Sequence, residues 1–124
     1  MIYVIGARGF VGSTVFSVLQ SLDECVAIDV DNYDEYAGTS CDILVNANGN
    51  SKKFLAREQP AHEFDLSVRS VVRSLYDFSF QKYVFISTVD VYTDFSSPEA
   101  TRENAVIEMQ QQSPYGFHKW LAEQ

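Results

Sequence analysis

Cysteine is scarce in this chain: Cys25 and Cys41 are the only two, each beside an apolar segment and without metal-ligand spacing. That excludes a disulfide-stapled scaffold and a cysteine-held metal centre, and it predicts two reduced, partly buried thiols. Positive charge is also short, with 9 Lys and Arg against 17 Asp and Glu and a net charge of −8. So acidic a chain is not built to bind nucleic acid or an anionic membrane, and most of its acidity serves solubility. No apolar run is long enough to cross a bilayer, and the first residues enter a strand with no charged leader ahead of them. A cytoplasmic protein is therefore expected. Repeats, low-complexity tracts and linkers are missing too, so the 124 residues, 46% hydrophobic, are expected to form one domain, 1–124, around one core.

What is present alternates between two periodicities. Ile2–Ile5 is apolar on both faces, as a buried parallel strand is. From Phe10 to about Leu22, Val11, Val15, Val18, Leu19 and Leu22 recur at helical spacing. A second strand is expected over Cys25–Val30 and a third over Asp42–Asn46, with only a turn or two of helix between them. After Pro60 a stripe of Phe64, Val68, Val71, Val72, Leu75 and Phe78 predicts a helix, followed by a strand over Tyr83–Ser87. The polar stretch from Asp94 to Ser113 reads as loop with a short helix. Ser113-Pro114 then opens a last helix, as cap and first helical position. Strands alternating with helices predict an α/β fold with a parallel sheet.

Gly6-Ala7-Arg8-Gly9-Phe10-Val11-Gly12 joins the first strand to the first helix. Glycines there let backbone N–H groups approach a phosphate, and a helix N-terminus pointing at it adds a favourable dipole, so a dinucleotide pyrophosphate is the expected ligand. Asp29 ends the second strand seventeen residues after Gly12. A carboxylate there accepts both ribose hydroxyls and repels a 2′-phosphate; Asp31 is the fallback. Arg8 works the other way, as a partner for phosphate. The acids outnumber it, so NAD is expected, with NADP as the alternative.

Tyr115 and Lys119 stand four apart on the last helix, on one face. An ammonium so placed favours the phenolate and is expected to lower the tyrosine pKa, preparing it to exchange a proton while a nicotinamide exchanges a hydride. Thr88 follows the fourth strand at its carboxyl end, where ligands bind in open α/β sheets. Its hydroxyl suits a substrate oxygen, or else simply caps the strand end.

In order and spacing, these four motifs resemble the extended short-chain dehydrogenase/reductase family, also called the NAD-dependent epimerase/dehydratase family. Gly6-x-x-Gly9-x-x-Gly12 resembles its nucleotide turn. Asp42-Ile-Leu-Val-Asn-Ala-Asn-Gly49 is similar to the strand and loop beneath the cofactor. Tyr83–Tyr92 resembles the strand ending in the catalytic hydroxyl, and Ser113–Lys119 the catalytic helix. The resemblance implies a Rossmann-like doubly wound parallel sheet, with Thr88, Tyr115 and Lys119 catalytic. Gly6, Arg8, Gly9, Phe10, Val11, Gly12, Asp29, Val30, Asn46, Ala47, Asn48, Ser67, Tyr115 and Lys119 would hold the cofactor, and no metal is implied. A nucleotide-diphosphate sugar is the implied substrate, for epimerisation, dehydration or reduction.

The chain departs from the family in three places. Only residues 30–41 separate Asp29 from Asp42, where many members place a further strand, so an open adenine side is expected. Ser67 stands where asparagine is common. The chain stops just after Lys119, so it reads as an N-terminal part, truncated before the last strands and the substrate domain, and inactive alone. Family dimers pair through the catalytic helix, so a homodimer is expected, as is exposed apolar surface on Phe117, Trp120 and Leu121. The reading from another class is a dinucleotide-binding regulatory module without chemistry; the intact Thr88, Tyr115 and Lys119 oppose it, and hydride exchange with a sugar nucleotide discriminates the two.

Overall fold

A computed structural model describes all residues, 1–124, which divide into two compact units: residues 1–49 with 71–86, and residues 50–70 with 87–124. The first unit carries the sheet. Its strands are β1 (Ile2–Ile5), β2 (Cys25–Ile28), β3 (Ser40–Asn46) and β4 (Ser79–Phe85), all parallel, in the order β2-β1-β3-β4. Between β1 and β2 runs α1 (Phe10–Leu19), and between β2 and β3 only the single turn α2 (Tyr33–Tyr36). This is the predicted Rossmann-like α/β sheet, with β2 left at an edge.

Side chains alternate across the sheet, so the core forms on both of its faces. Ile2, Val4, Ala7 and Val45 pack with Val15, Phe16 and Leu19 of α1. Tyr3, Ile5, Ile28, Leu44 and Phe78 pack on the other face with Tyr33 and Tyr36 of α2. Cys41 is buried there and Cys25 is half-buried, both free, and burial raises both thiol pKa values.

Several boundaries move from their expected places. The last turn of α1 tightens after Leu19, where the Ser21 N–H reaches Val18 and the Leu22 N–H reaches Leu19, leaving Leu22 exposed. β2 stops at Ile28 because the Asp29 N–H donates to Asn32 Oδ1 (2.7 Å) in a local turn rather than to a ladder. β4 spans Ser79–Phe85, four residues ahead of the expected start at Tyr83, in register with Ser40–Asn46. Its first half, Ser-Phe-Gln-Lys, has no apolar run to announce it.

The second unit is mainly helical. It contains α3 (Leu55–Glu58), α4 (Pro60–Phe64), a π-helical turn (Asp65–Arg69), 3₁₀ turns at Val89–Val91, Glu99–Thr101 and Met109–Gln111, and α6 (Pro114–Glu123). The helical run from Pro60 continues into α5 (Ser70–Asp77). Its buried positions are Glu63, Ser67, Val68, Val71, Ser74 and then Phe78, while Phe64, Val72 and Leu75 are exposed. Part of the expected apolar stripe therefore faces out, because three polar side chains occupy the inner face. Phe117, Trp120 and Leu121 are half-buried rather than exposed, with the Phe117 and Trp120 rings stacked at 6.5 Å.

Leu44 is fully buried at the centre of the sheet. Leu44→Ala should lower unfolding stability by about 2–5 kcal/mol, read from the urea midpoint; a loss under ~1 kcal/mol would show that this face is not a packed core.

Candidate functional site

In the first unit the glycine turn is bound to its surroundings by backbone contact. Gly6 has φ +79°, open to glycine at little cost, and a Cβ there would lie 2.9 Å from the Asn48 backbone. A Cβ on Gly12 would lie 2.0 Å from the Gly6 carbonyl oxygen. The N-cap of α1 is Gly9, with no side chain to accept from the first-turn N–H groups. With no side-chain cap, those donors remain available to an anion. The chemistry present therefore fits a dinucleotide pyrophosphate.

Asp29 sits just past β2 with its side chain 11% exposed. Its Oδ1 accepts from the Arg8 N–H (3.1 Å), and its Oδ2 lies 3.2 Å from Arg8 Nε. Arg8 Nη1 reaches Asp31 Oδ2 at 2.8 Å. Both expected acids and the arginine thus form one cluster, in which two carboxylates hold the one guanidinium. Phe10 (97% exposed) and Val30 (91%) flank it as solvent-facing apolar surface, and Val11 is exposed as well. β2 is the edge strand here, in keeping with an open adenine side.

Asn46 is almost completely buried and works inside the fold. Its Oδ1 accepts from the Asn48 N–H (3.0 Å), and its Nδ2 donates to the Tyr83 hydroxyl (2.9 Å). It shapes the loop through Ala47 and Asn48, leaving Asn48 exposed beside the glycine turn.

In the second unit, a cleft of about 680 Å³ is lined by Lys53, Arg57, Asp90, Tyr92, Phe95 and Tyr115, among others. Ser113 caps α6 as expected, its Oγ accepting from the Gly116 N–H at 3.0 Å, with Pro114 at the first helical position. A Cβ on Gly116 would lie 2.0 Å from the Asp90 carbonyl oxygen, so glycine alone lets α6 approach that turn. Gln112 Nε2 donates to the Val91 carbonyl from the same side (2.6 Å). Thr88 lies three residues past β4 and caps the turn, its Oγ1 accepting from the Asp90 N–H (3.2 Å). That bond uses a lone pair and leaves the hydroxyl proton to give.

Tyr115 departs from its expected electrostatics. Its pKa is raised, not lowered, and burial is the largest cause. The opposing cation is Lys53, whose Nζ stands 5.5 Å from the ring centroid and 2.5 Å from Asp90 Oδ2. Lys119 is 2% exposed, and burial lowers its pKa against the pull of Glu63 and Glu123. Each group is thus pushed toward its neutral form. An i,i+4 spacing fixes which face two residues share, not how much water remains around them.

Ser67 is buried and donates its hydroxyl to Glu63, which also meets His118 Nδ1. Lys53, Asp90, Glu63 and His118 were not singled out from the sequence. His118 was visible between Tyr115 and Lys119; the other three carry no spacing signal. No group of three or more His, Cys, Asp or Glu is arranged to hold a metal ion.

Residues 2–124 match the model of the NAD dependent epimerase/dehydratase family. A comparison with curated proteins finds no match. Among solved structures, UDP-galactose 4-epimerase is 23% identical with a TM-score of 0.77, covering 98% of this chain and 48% of its own. Pal from Bacillus thuringiensis is 22% identical at 0.74, with 98% and 49% covered. RMD from Pseudomonas aeruginosa, solved with NADPH, is 21% identical at 0.72, with 98% and 46% covered. The fold is shared, and the chain spans about half the length of these structures.

Replacing Lys53 by Met removes the cation that favours the Tyr115 phenolate. The Tyr115 titration, followed by ¹³Cζ-tyrosine NMR, should then rise further above that of an ordinary tyrosine. A midpoint that stays put or falls would show that Lys53 does not act on the phenol.

Proposed function

The chain belongs to the NAD dependent epimerase/dehydratase family, and we propose that it is the nucleotide-binding part of a sugar-nucleotide epimerase, dehydratase or reductase whose acid/base is Tyr115. The observation that carries the reading is the Tyr115 phenol, held in the wall of the cleft one helical turn from the buried side chain of Lys119. The glycine turn with its uncapped helix N-terminus supports the cofactor half of the proposal. Solved relatives of the same fold include a UDP-galactose 4-epimerase and an NAD dependent NDP-hexosamine 5,6-dehydratase, which supports a nucleotide-diphosphate sugar as the substrate class. Substrate choice and turnover would rest on a second domain beyond these residues.

The first-turn N–H groups of α1 would hold the pyrophosphate and Asp29 the adenosine ribose. Arg8 is already held between Asp29 and Asp31, so a 2′-phosphate placed there would meet two carboxylates, which favours NAD over NADP. When bound, the nicotinamide supplies the hydride acceptor. As the phenolate, Tyr115 would take the hydroxyl proton of the sugar at its phenolic oxygen, and as the resulting phenol it would return it. Thr88 donates its hydroxyl proton in a hydrogen bond to the same sugar oxygen. Lys53, the cation over the ring, favours the phenolate form of Tyr115, and Lys119 adds to it when charged.

Calorimetry should show NAD binding at least about tenfold tighter than NADP, with the difference lost in Asp29→Ala. No heat with either dinucleotide would overturn the cofactor assignment. In the full-length enzyme Tyr115→Phe should cut turnover by about 10²-fold or more while leaving NAD affinity within about threefold. Unchanged turnover would remove Tyr115 from the acid/base role and favour a regulatory module.

A further inference from the structure

The second unit buries a carboxylate completely: Glu63 on α4 has 0% exposure. An ionised carboxylate taken out of water has to be met by donors and by positive charge. Glu63 is met on both oxygens. Oε1 accepts from the Ser67 hydroxyl, one turn along its own helical run. Oε2 faces Nδ1 of His118, itself buried and flanked edge-on by the Phe64 ring at 5.5 Å. The next residue on α6 is Lys119, buried to 2% and under the electrostatic pull of Glu63.

We infer that Glu63 is a positioning residue for the α6 site, holding His118 with its proton on Nδ1 and supplying the buried negative charge that keeps Lys119 an ammonium. The inference deepens the proposed function, since it concerns how the Tyr115–Lys119 helix is held and charged. Three physical points carry it. An ionised carboxylate only accepts, so a bond between Oε2 and Nδ1 requires the hydrogen on Nδ1. In the neutral imidazole that leaves Nε2 as the acceptor, the reverse of a histidine that donates from Nε2. A lysine so deeply buried loses its charge unless an anion shares its surroundings. Glu123 also acts on Lys119, but it sits exposed in the last turn of α6, where water screens it.

On α6 this carboxylate meets His118 and acts on Lys119 and Tyr115, while α3, which bears Arg57 and Glu58, packs on α4 as well. Lys119 in turn feels Glu63 and Glu123, and Tyr115 feels Lys53 and Asp90 besides Glu63. Ser67 fits the same arrangement. Its hydroxyl proton is committed to Glu63, which gives a physical role to the serine standing where the resemblance leads one to expect asparagine.

The test is NMR on the labelled chain, and no dinucleotide is needed, so it stands whether or not the cofactor assignment survives. The chain has only two histidines, and the exposed His62 is identified by its loss in His62→Gln. Long-range ¹H–¹⁵N spectra should show His118 Nδ1 protonated throughout about pH 5–9. A neutral imidazole protonated on Nε2 alone would overturn the inference, and the wild-type chain suffices for that measurement. Side-chain spectra of the four lysines read the other half. Glu63→Gln should lower the Lys119 midpoint by about one pH unit or more relative to wild type, leaving Lys52, Lys53 and Lys82 in place. Glu63→Asp should restore most of it, and Ser67→Ala, which keeps the charge, should leave the midpoint within about 0.3 unit. A Glu63→Gln chain that is folded but titrates like wild type at Lys119 would overturn the counter-charge role, because loss of packing alone does not move one lysine selectively.

Discussion

The Gly6 carbonyl oxygen lies 2.0 Å from where any side chain at position 12 would place its Cβ, and a Cβ at position 6 would come 2.9 Å from the Asn48 backbone. Through these two approaches the ends of β1 and β3 and the first turn of α1 share one small volume. The hydrogen bond from the Gly6 N–H to the Ile28 carbonyl (2.8 Å) brings in the end of β2. Asp29 follows directly, which is why its carboxylate can reach the Arg8 N–H. Asn46 locks the far side by taking the Asn48 N–H with its own buried amide. Position and chemistry of the turn therefore depend on backbone packing more than on any side chain within it.

Much of this was legible in the residues themselves. Buried parallel strands are continuous apolar runs, so β1 and the core of β3 announced themselves, and Ser113-Pro114 marked the start of α6 to the residue. β4 was half legible: Tyr83-Val84-Phe85 reads as strand, whereas Ser79–Lys82 alternates in a way that also suits a loop. The stripe after Pro60 misled at Val72 and Leu75, because periodicity assumes that inward positions are apolar. Here Glu63, Ser67 and Ser74 turn inward because each finds a hydrogen-bond partner, and two of those partners, His118 for Glu63 and Asn46 for Ser74, lie too far off in sequence to mark a local window. The cluster of Asp29, Arg8 and Asp31 was visible as residues but not as a single ion-paired group.

Charge at α6 illustrates the limit of spacing arguments. A lysine one turn from a tyrosine suggests an acidified phenol, yet burial acts on both groups at once and drives each toward neutrality. The sign of the outcome is set by what surrounds the pair. Lys53 approaches the tyrosine ring from a loop far away in sequence, and Glu63 approaches the lysine side from another helix. The helix carries the reactive groups, and the neighbouring segments decide their charge states.

The short edge strand has a consequence for the chain in solution. β2 leaves one side of its backbone without a sheet neighbour, and such an edge is a template on which a second chain can add a strand. Here the template is four residues long and lies between acids, Asp23 and Glu24 before it and Asp29 and Asp31 after it. An incoming copy would bring the same acids to the same place, and Arg8 and the N-terminal ammonium, which pair with Asp29, Asp31 and Asp23, offset only part of that charge. The edge strand beside the short turn α2 is thus compatible with a chain that does not polymerise through it.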